Sequence, residues 1–303
     1  MSFRSDEITG YEDLVQRKLI KTPKETQEVI KGREKQLCWL AQDAFKNHEI
    51  RSASPGRWTI AKKYPDGGWT NIYMAEIITC RIGVFVSGDI DSVIFAGGDH
   101  GDSDRARLNW AATSSLVGYL DGKARIGFNS SGISPAEEED IDIAMAEMQD
   151  HIFDAYQVIC EDVLADDEWE PEIRYDDSGE EIDAPDPRAT FKVETGKIEC
   201  ANTEHLAELL KCVDADIKKN REIVVWADAI DSMLDGEPLE LVRNRLYDEL
   251  NEADIGDAGE LSCNIGIVTA ARVYYAHAAC KKLAELLEAR DQAEASDNFK
   301  DHP

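Results

Sequence analysis

"RWTIAKKYPDGGWTNIYMAEIITCRIGVFVSGDIDSVIFAG", residues 57–97, decides the fold of this 303-residue chain. Four pieces of it are short and rich in β-branched and aromatic residues: "RWTIAKKY", "NIYMAEIITC", "GVFVSGD" and "DSVIFAG". Turn residues separate them, and Asp66-Gly67-Gly68 is a tight-turn signal between the first two. The stretch is therefore expected to form an antiparallel meander of four strands. Gly88 and Asp89 read as turn residues, because glycine takes positive φ and aspartate can bond nearby backbone.

On both sides the period changes to helical. Upstream, Thr22 and Glu25 bracket Pro23 in a capping box. Val29, Ile30, Leu37, Leu40, Ala41 and Ala44 then recur at helical spacing, which predicts a helix of about six turns ended by "RSASPGR". Downstream, Ser103 or Asp104 caps a helix whose spacing continues through "SLVGYLDGKARIGF". A long helix is expected from Ser134-Pro135, with Glu137 to Asp140 in its first turn. Its stripe of Ile141, Met145, Met148, Ile152, Tyr156, Ile159 and Val163 reads as core. "TFKVETGKIECA" predicts a hairpin through Thr195-Gly196. Helices follow, the last of them running unbroken from "ELSCNIGIVTAARV" onward. The fold class is α+β: a small antiparallel meander flanked by helices, with a mainly helical C-terminal half. The expected divisions are a helical arm over 1–50, sheet plus helix over 51–133, an acidic helix and linker over 134–187, and a hairpin with helices over 188–303.

Formal net charge is -29, from 62 acids and 33 bases. Between Ser134 and Pro187 stand 21 acids and one base, Arg174, so the acidity is local. Such a field repels nucleic acid and anionic membrane and attracts basic surfaces. The bland reading of the same residues is a solvated face. The functional reading is a docking surface for a basic protein, made by Glu137, Glu138, Glu139, Asp166, Asp167, Glu168, Asp176, Asp177, Glu180 and Glu181. No direct nucleic-acid contact is expected. Seven cysteines without a C-x-x-C pair fit reduced thiols and a cytoplasmic setting. No apolar run approaches the roughly 18 residues of a membrane span.

Five aspartates and one histidine crowd residues 83–104. Asp89, Asp91, Asp99 and His100, with Asp102 and Asp104, raise a hard-cation site as an alternative. The calcium-loop pattern is not met, and zinc would want a second histidine or a cysteine nearby. Turn and cap chemistry accounts for the same residues. His151 and His277 fall inside helices, where a satisfied, partly buried histidine is expected. No G-x-S-x-G, G-x-x-x-x-G-K-S/T or G-x-G-x-x-G is present, and no cofactor is implied.

The G-V-F-V-S-G-D turn followed by D-S-V-I-F resembles a family of small proteins encoded by tailed phages. The layout is similar to that of phage Gabija anti-defence proteins. The resemblance implies a non-enzymatic inhibitor that oligomerises around a host nuclease complex and blocks its access to DNA. It carries over no functional residue: the shared Gly83, Ser87, Gly88 and Asp89 shape the turn. Three functions thus stand as expectations. They are an interaction protein acting on basic host machinery, a metal-dependent hydrolase using the Asp/His loop, and a structural protein forming a helical homo-oligomer.

Overall fold

The computed structural model describes residues 8–62, 72–97, 103–129, 132–135, 137–167 and 189–298. Helices α1 (Tyr11–Gln16) and α2 (Pro23–Phe45) precede strands β1 (His48–Ser54), β2 (Arg57–Lys62), β3 (Met74–Cys80), β4 (Gly83–Gly88) and β5 (Val93–Ala96). Helix α3 (Asp104–Thr113) and the single turn α4 (Asp121–Lys123) lead to β6 (Ala124–Asn129), β7 (Gly132–Pro135) and β8 (Glu137–Glu139). Next come α5 (Ile141–Ala165), β9 (Thr190–Lys192), β10 (Lys197–Glu199), α6 (Thr203–Ile217), α7 (Arg221–Leu234) and α8 (Leu239–Glu252). The chain closes with α9 (Ala258–Asn264), β11 (Ile267–Thr269) and α10 (Ala271–Asn298). The fold is α+β, with an antiparallel sheet toward the N-terminus and mostly helices after it.

The chain divides into two compact units, each with its own core. One takes Gly32–Glu138 and Val268–Pro303, the other Met1–Lys31 and Glu139–Ile267. In the first, the sheet unit, strands β1 to β7 lie side by side in sequence order, all antiparallel. Side chains alternate across it. Ala75, Ile77, Val84, Val86, Val93 and Phe95 are buried together with Leu108 of α3 and Val273 of α10. All four strands of the expected meander are present. The Asp66-Gly67-Gly68 turn lies outside the described residues.

Three strands of this sheet escape the sequence reading, because helical spacing was extended too far. The α2 helix stops at Phe45, and His48–Ser54 forms the edge strand β1, paired with β2 through Pro55-Gly56. Gly56 has φ 70, so the Pro-Gly pair makes a hairpin turn as well as punctuating the chain. Helix α3, capped by Ser103, ends at Thr113 because Ser114 is extended. Gly118 then turns with φ 77, and "ARIGF" goes into β6 beside β5. Ser134 and Pro135 lie in β7, so neither starts the acidic helix.

In the second, acidic unit, Asp140 caps α5 by accepting from the Asp142 and Ile143 amides, and the helix runs 25 residues. Its stripe is core as expected from Met148 to Ile159, with Met145 and Val163 packed at the edge. Ile141 is the exception at 58% exposed, because it sits in the first turn. Helix α5 packs mainly against α7 and α6. Tyr156 stacks on Tyr11 at 4.8 Å between ring centroids, and its hydroxyl donates to the Gly196 carbonyl at 3.1 Å. Gly196 has φ 63 and turns the predicted β9–β10 hairpin. The expected unbroken closing helix is interrupted. Helix α9 ends at Asn264, Gly266 takes φ 68, and β11 precedes α10. The β-branched run "IGIVT" favours the extended form there.

Candidate functional site

The aspartates of the β4–α3 region are placed by strand and helix ends. Asp89 Oδ2 accepts from the Tyr73 and Met74 amides, both at 2.8 Å, and so caps the first residues of β3. Asp91, at φ 70, pairs with Arg272 at 2.9 Å. Asp104 accepts from the Thr79 hydroxyl at 2.8 Å and lies 3.5 Å from Arg107. Of the residues expected to shape the turn, Gly83, Ser87 and Gly88 lie in β4 itself, paired with Cys80, Glu76 and Ala75, and Asp89 alone stands in the turn that follows. Asp99, His100 and Asp102 lie outside the described residues. Among the described residues, no three His, Cys, Asp or Glu side chains come together as metal ligands.

The roles of Asp89 give a direct expectation. Asp89→Ala strips one acceptor from two strand amides and is expected to cost about 1–2 kcal/mol in denaturant unfolding. Asp89→Asn, which keeps an amide oxygen, is expected to recover about half of that. A loss that grows or shrinks with added magnesium would return this loop to the metal reading.

The acidic stretch is built differently from its expected form. Glu137, Glu138 and Glu139 are strand residues in β8. Glu138 lies 3.7 Å from Arg33, and Glu139 lies 2.6 Å from Arg243. Asp166 is the C-cap of α5, and Asp167 meets His205 at 2.8 Å. Glu168, Asp176, Asp177, Glu180 and Glu181 lie outside the described residues. Two arginines, distant in sequence, therefore pair with acids that look uncompensated in the linear chain, and a histidine hydrogen-bonds a third.

The charge asymmetry sharpens once the units are known. The acidic unit holds 43 acids and 16 bases, so it carries -27 of the net -29. The sheet unit holds 19 acids and 17 bases. Exposed acids continue over α5 and α6, among them Glu161, Asp162, Glu204, Glu208 and Asp216. The density is high enough that acids also line the helix contacts. Burial raises the Asp150 carboxyl to about 6, helped by Asp154 and Glu147 on the same helix. Burial raises Glu147, Glu222, Asp228 and Glu249 as well. Sequence reading missed this group because the three- and four-residue spacing of Glu147, Asp150 and Asp154 is also that of a solvated helix face.

No family model, no curated protein and no solved structure matches the chain. Among the described residues no helix is long and apolar enough to cross a membrane.

Proposed function

We propose that this chain acts by binding, and that its acidic unit docks on a basic, nucleic-acid-handling protein. The observation that carries the reading is the confinement of -27 of the net charge to one unit. A field of one sign over a whole helical unit steers a cationic partner and fixes its orientation, more than it adds raw affinity. The same field disfavours direct contact with DNA or RNA. Asp166, with Glu168, Asp176, Asp177, Glu180 and Glu181, is the part of the acidic unit assigned to the partner; Glu137 and Glu138, expected in the same surface, belong to the sheet unit. Glu138, Glu139 and Asp167 serve it less directly, since each already has an intramolecular partner. Ordinary solubility is the competing account of the same charge.

The test is a purified pull-down against cationic nucleic-acid-binding proteins of the host, read as affinity against salt. Affinity is expected to fall at least about tenfold between 50 and 300 mM salt, as screening shortens the Debye length. Converting Asp166, Glu168, Asp176, Asp177, Glu180 and Glu181 to Asn or Gln is expected to remove a further factor of about ten. Salt-insensitive binding, or unchanged binding by the neutralised variant, overturns the proposal.

A further inference from the structure

Helix α2 is anchored near each end and bare between the anchors. Near its start, Thr26 is buried and its hydroxyl donates to the Ala146 carbonyl at 3.3 Å, within the acidic unit. Toward its end, Leu37, Ala41 and Phe45 are buried in the core of the sheet unit. The ten residues between, Gln27 to Gln36, include no buried side chain. Val29 and Ile30 are half-buried there and join neither core. Arg33 reaches Glu138 at 3.7 Å, and a pair that water reaches contributes little. About three turns of helix are thus held chiefly by their own backbone hydrogen bonds. That is the condition under which a segment opens locally while the rest of the fold stays closed.

Gly32 stands in the middle of this stretch. Its φ is not in the left-handed region, and a Cβ added to it meets nothing within 4 Å. Neither the backbone conformation nor close packing therefore calls for glycine. In a helix interior glycine is about fivefold less favourable than alanine, because it loses the most backbone freedom on ordering. Val29 and Ile30, stiff at χ1, add to the weakness. The boundary between the two units falls at the same place, between Lys31 and Gly32. The chain's other two passages across it lie inside three-residue strands, at Glu138–Glu139 in β8 and Ile267–Val268 in β11. The part of α2 with the least packing and the lowest helix preference thus coincides with the boundary.

We propose that Gly32 is a hinge in α2. The helix gives up its hydrogen bonds around this residue and bends there, while Thr26 and the turns from Leu37 to Phe45 stay in place. Such a bend leaves both cores intact. The hinge is a property of the helix and stands independently of the docking role of the acidic unit.

Spin labels at the exposed positions of Lys24→Cys and Gln42→Cys test it, in the full chain with its exposed and half-buried cysteines changed to serine. In a straight helix the two sites stand about 27 Å apart, at 1.5 Å per residue. Electron–electron double resonance is expected to show that distance with a second, shorter one beside it. Gly32→Ala, which has room for its methyl, is expected to reduce the shorter population about fivefold. Hydrogen exchange on the chain with all its cysteines, corrected for intrinsic rates, reads the same opening. Amides of Arg33 to Gln36 are expected to exchange at least about tenfold faster than those of Ala41 to Phe45, and about fivefold more slowly in Gly32→Ala. A single narrow distance in the wild type overturns the proposal, as does equal exchange along the helix. So does unchanged behaviour of Gly32→Ala in either measurement, which assigns the opening to exposure alone.

Discussion

Acidifying the protein from pH 7.5 to 5 is expected to weaken the sheet unit and strengthen the acidic unit. In the sheet unit the cause is histidine. His48 is 3% exposed and neither ring nitrogen makes a hydrogen bond of good geometry; burial, aided by Lys62 and Lys282 and only partly offset by the Phe45 backbone and Asp89, lowers it to about 4. His277, 7% exposed, is also lowered to about 4, by burial first and then by the Lys281 ammonium one turn along α10. An unfolded histidine titrates near about 6.5. Both folded values are depressed, so the stabilisation is complete above about pH 6.5 and is lost as pH falls toward 4. By pH 5 each histidine costs about 1–2 kcal/mol after allowance for solvent screening. Together that is about 2–4 kcal/mol against a typical total of about 5–15.

In the acidic unit the sign reverses. Asp150 rises to about 6, and Glu147, Glu222, Asp228 and Glu249 rise too, all chiefly through burial. A raised carboxyl favours the folded state below its unfolded value near 4 and loses that contribution as pH climbs through the folded value. Moving down from pH 7.5 to 5 therefore stabilises, by about 1 kcal/mol for Asp150 after screening. Relief of self-repulsion in a unit of charge -27 acts in the same direction. His151, lowered by burial where it stacks on Trp226 at 4.4 Å, and Glu25, lowered by its Thr22 cap, oppose part of this gain. Hydrogen exchange read peptide by peptide, corrected for intrinsic rates, separates the units. Protection at pH 5 is expected to fall across β2 to β6 and rise across α5 to α8. Parallel movement of both units would refute the assignment, as would undiminished acid sensitivity of the sheet unit in His48→Phe.

Gly83→Ala is expected to cost about 3–5 kcal/mol, among the largest single-methyl effects in the molecule. Gly83 opens β4 with φ 148, opposite Cys80 on one side and Ala96 on the other. An added Cβ would overlap the Phe95 carbonyl oxygen, which is backbone of the neighbouring strand. No rotamer change moves that atom, so the β4–β5 ladder must open, and it lies at the centre of the sheet. Gly118→Ala is the control. Gly118 also has positive φ, 77, yet an added Cβ meets nothing within 4 Å, so only backbone strain of about 1–2 kcal/mol remains. Denaturant titration of the two variants checks the difference, and equal losses would show that strain alone, without the Phe95 clash, sets the cost.

Both predictions depend on facts of unequal visibility in the chain. The β2 to β5 meander is legible because period-2 alternation and turn residues agree over a short distance. The Thr22–Glu25 box is legible for the same reason: Glu25 Oε2 accepts from the Thr22 amide at 2.8 Å, within three residues. The strands β1, β6 and β7 are not, because each is created by pairing with a neighbour, and a short polar edge strand carries little pattern of its own. The fate of the acids is no more legible. Arg243 reaches Glu139 across 104 residues, and His205 reaches Asp167 across 38.

By itself the sequence determined the α+β class, the central hairpins, most helix starts and the strength of the negative charge, since each follows from local periodicity, capping or counting. Only the tertiary structure decided where that charge resides. It gathers residues up to Lys31 and from Glu139 to Ile267 into one unit and leaves the other near neutral. It alone also buried His48 and His277 without full hydrogen bonding. Burial and charge pairing are properties of neighbours in space, and the folded chain sets those neighbours through contacts that no window of sequence contains.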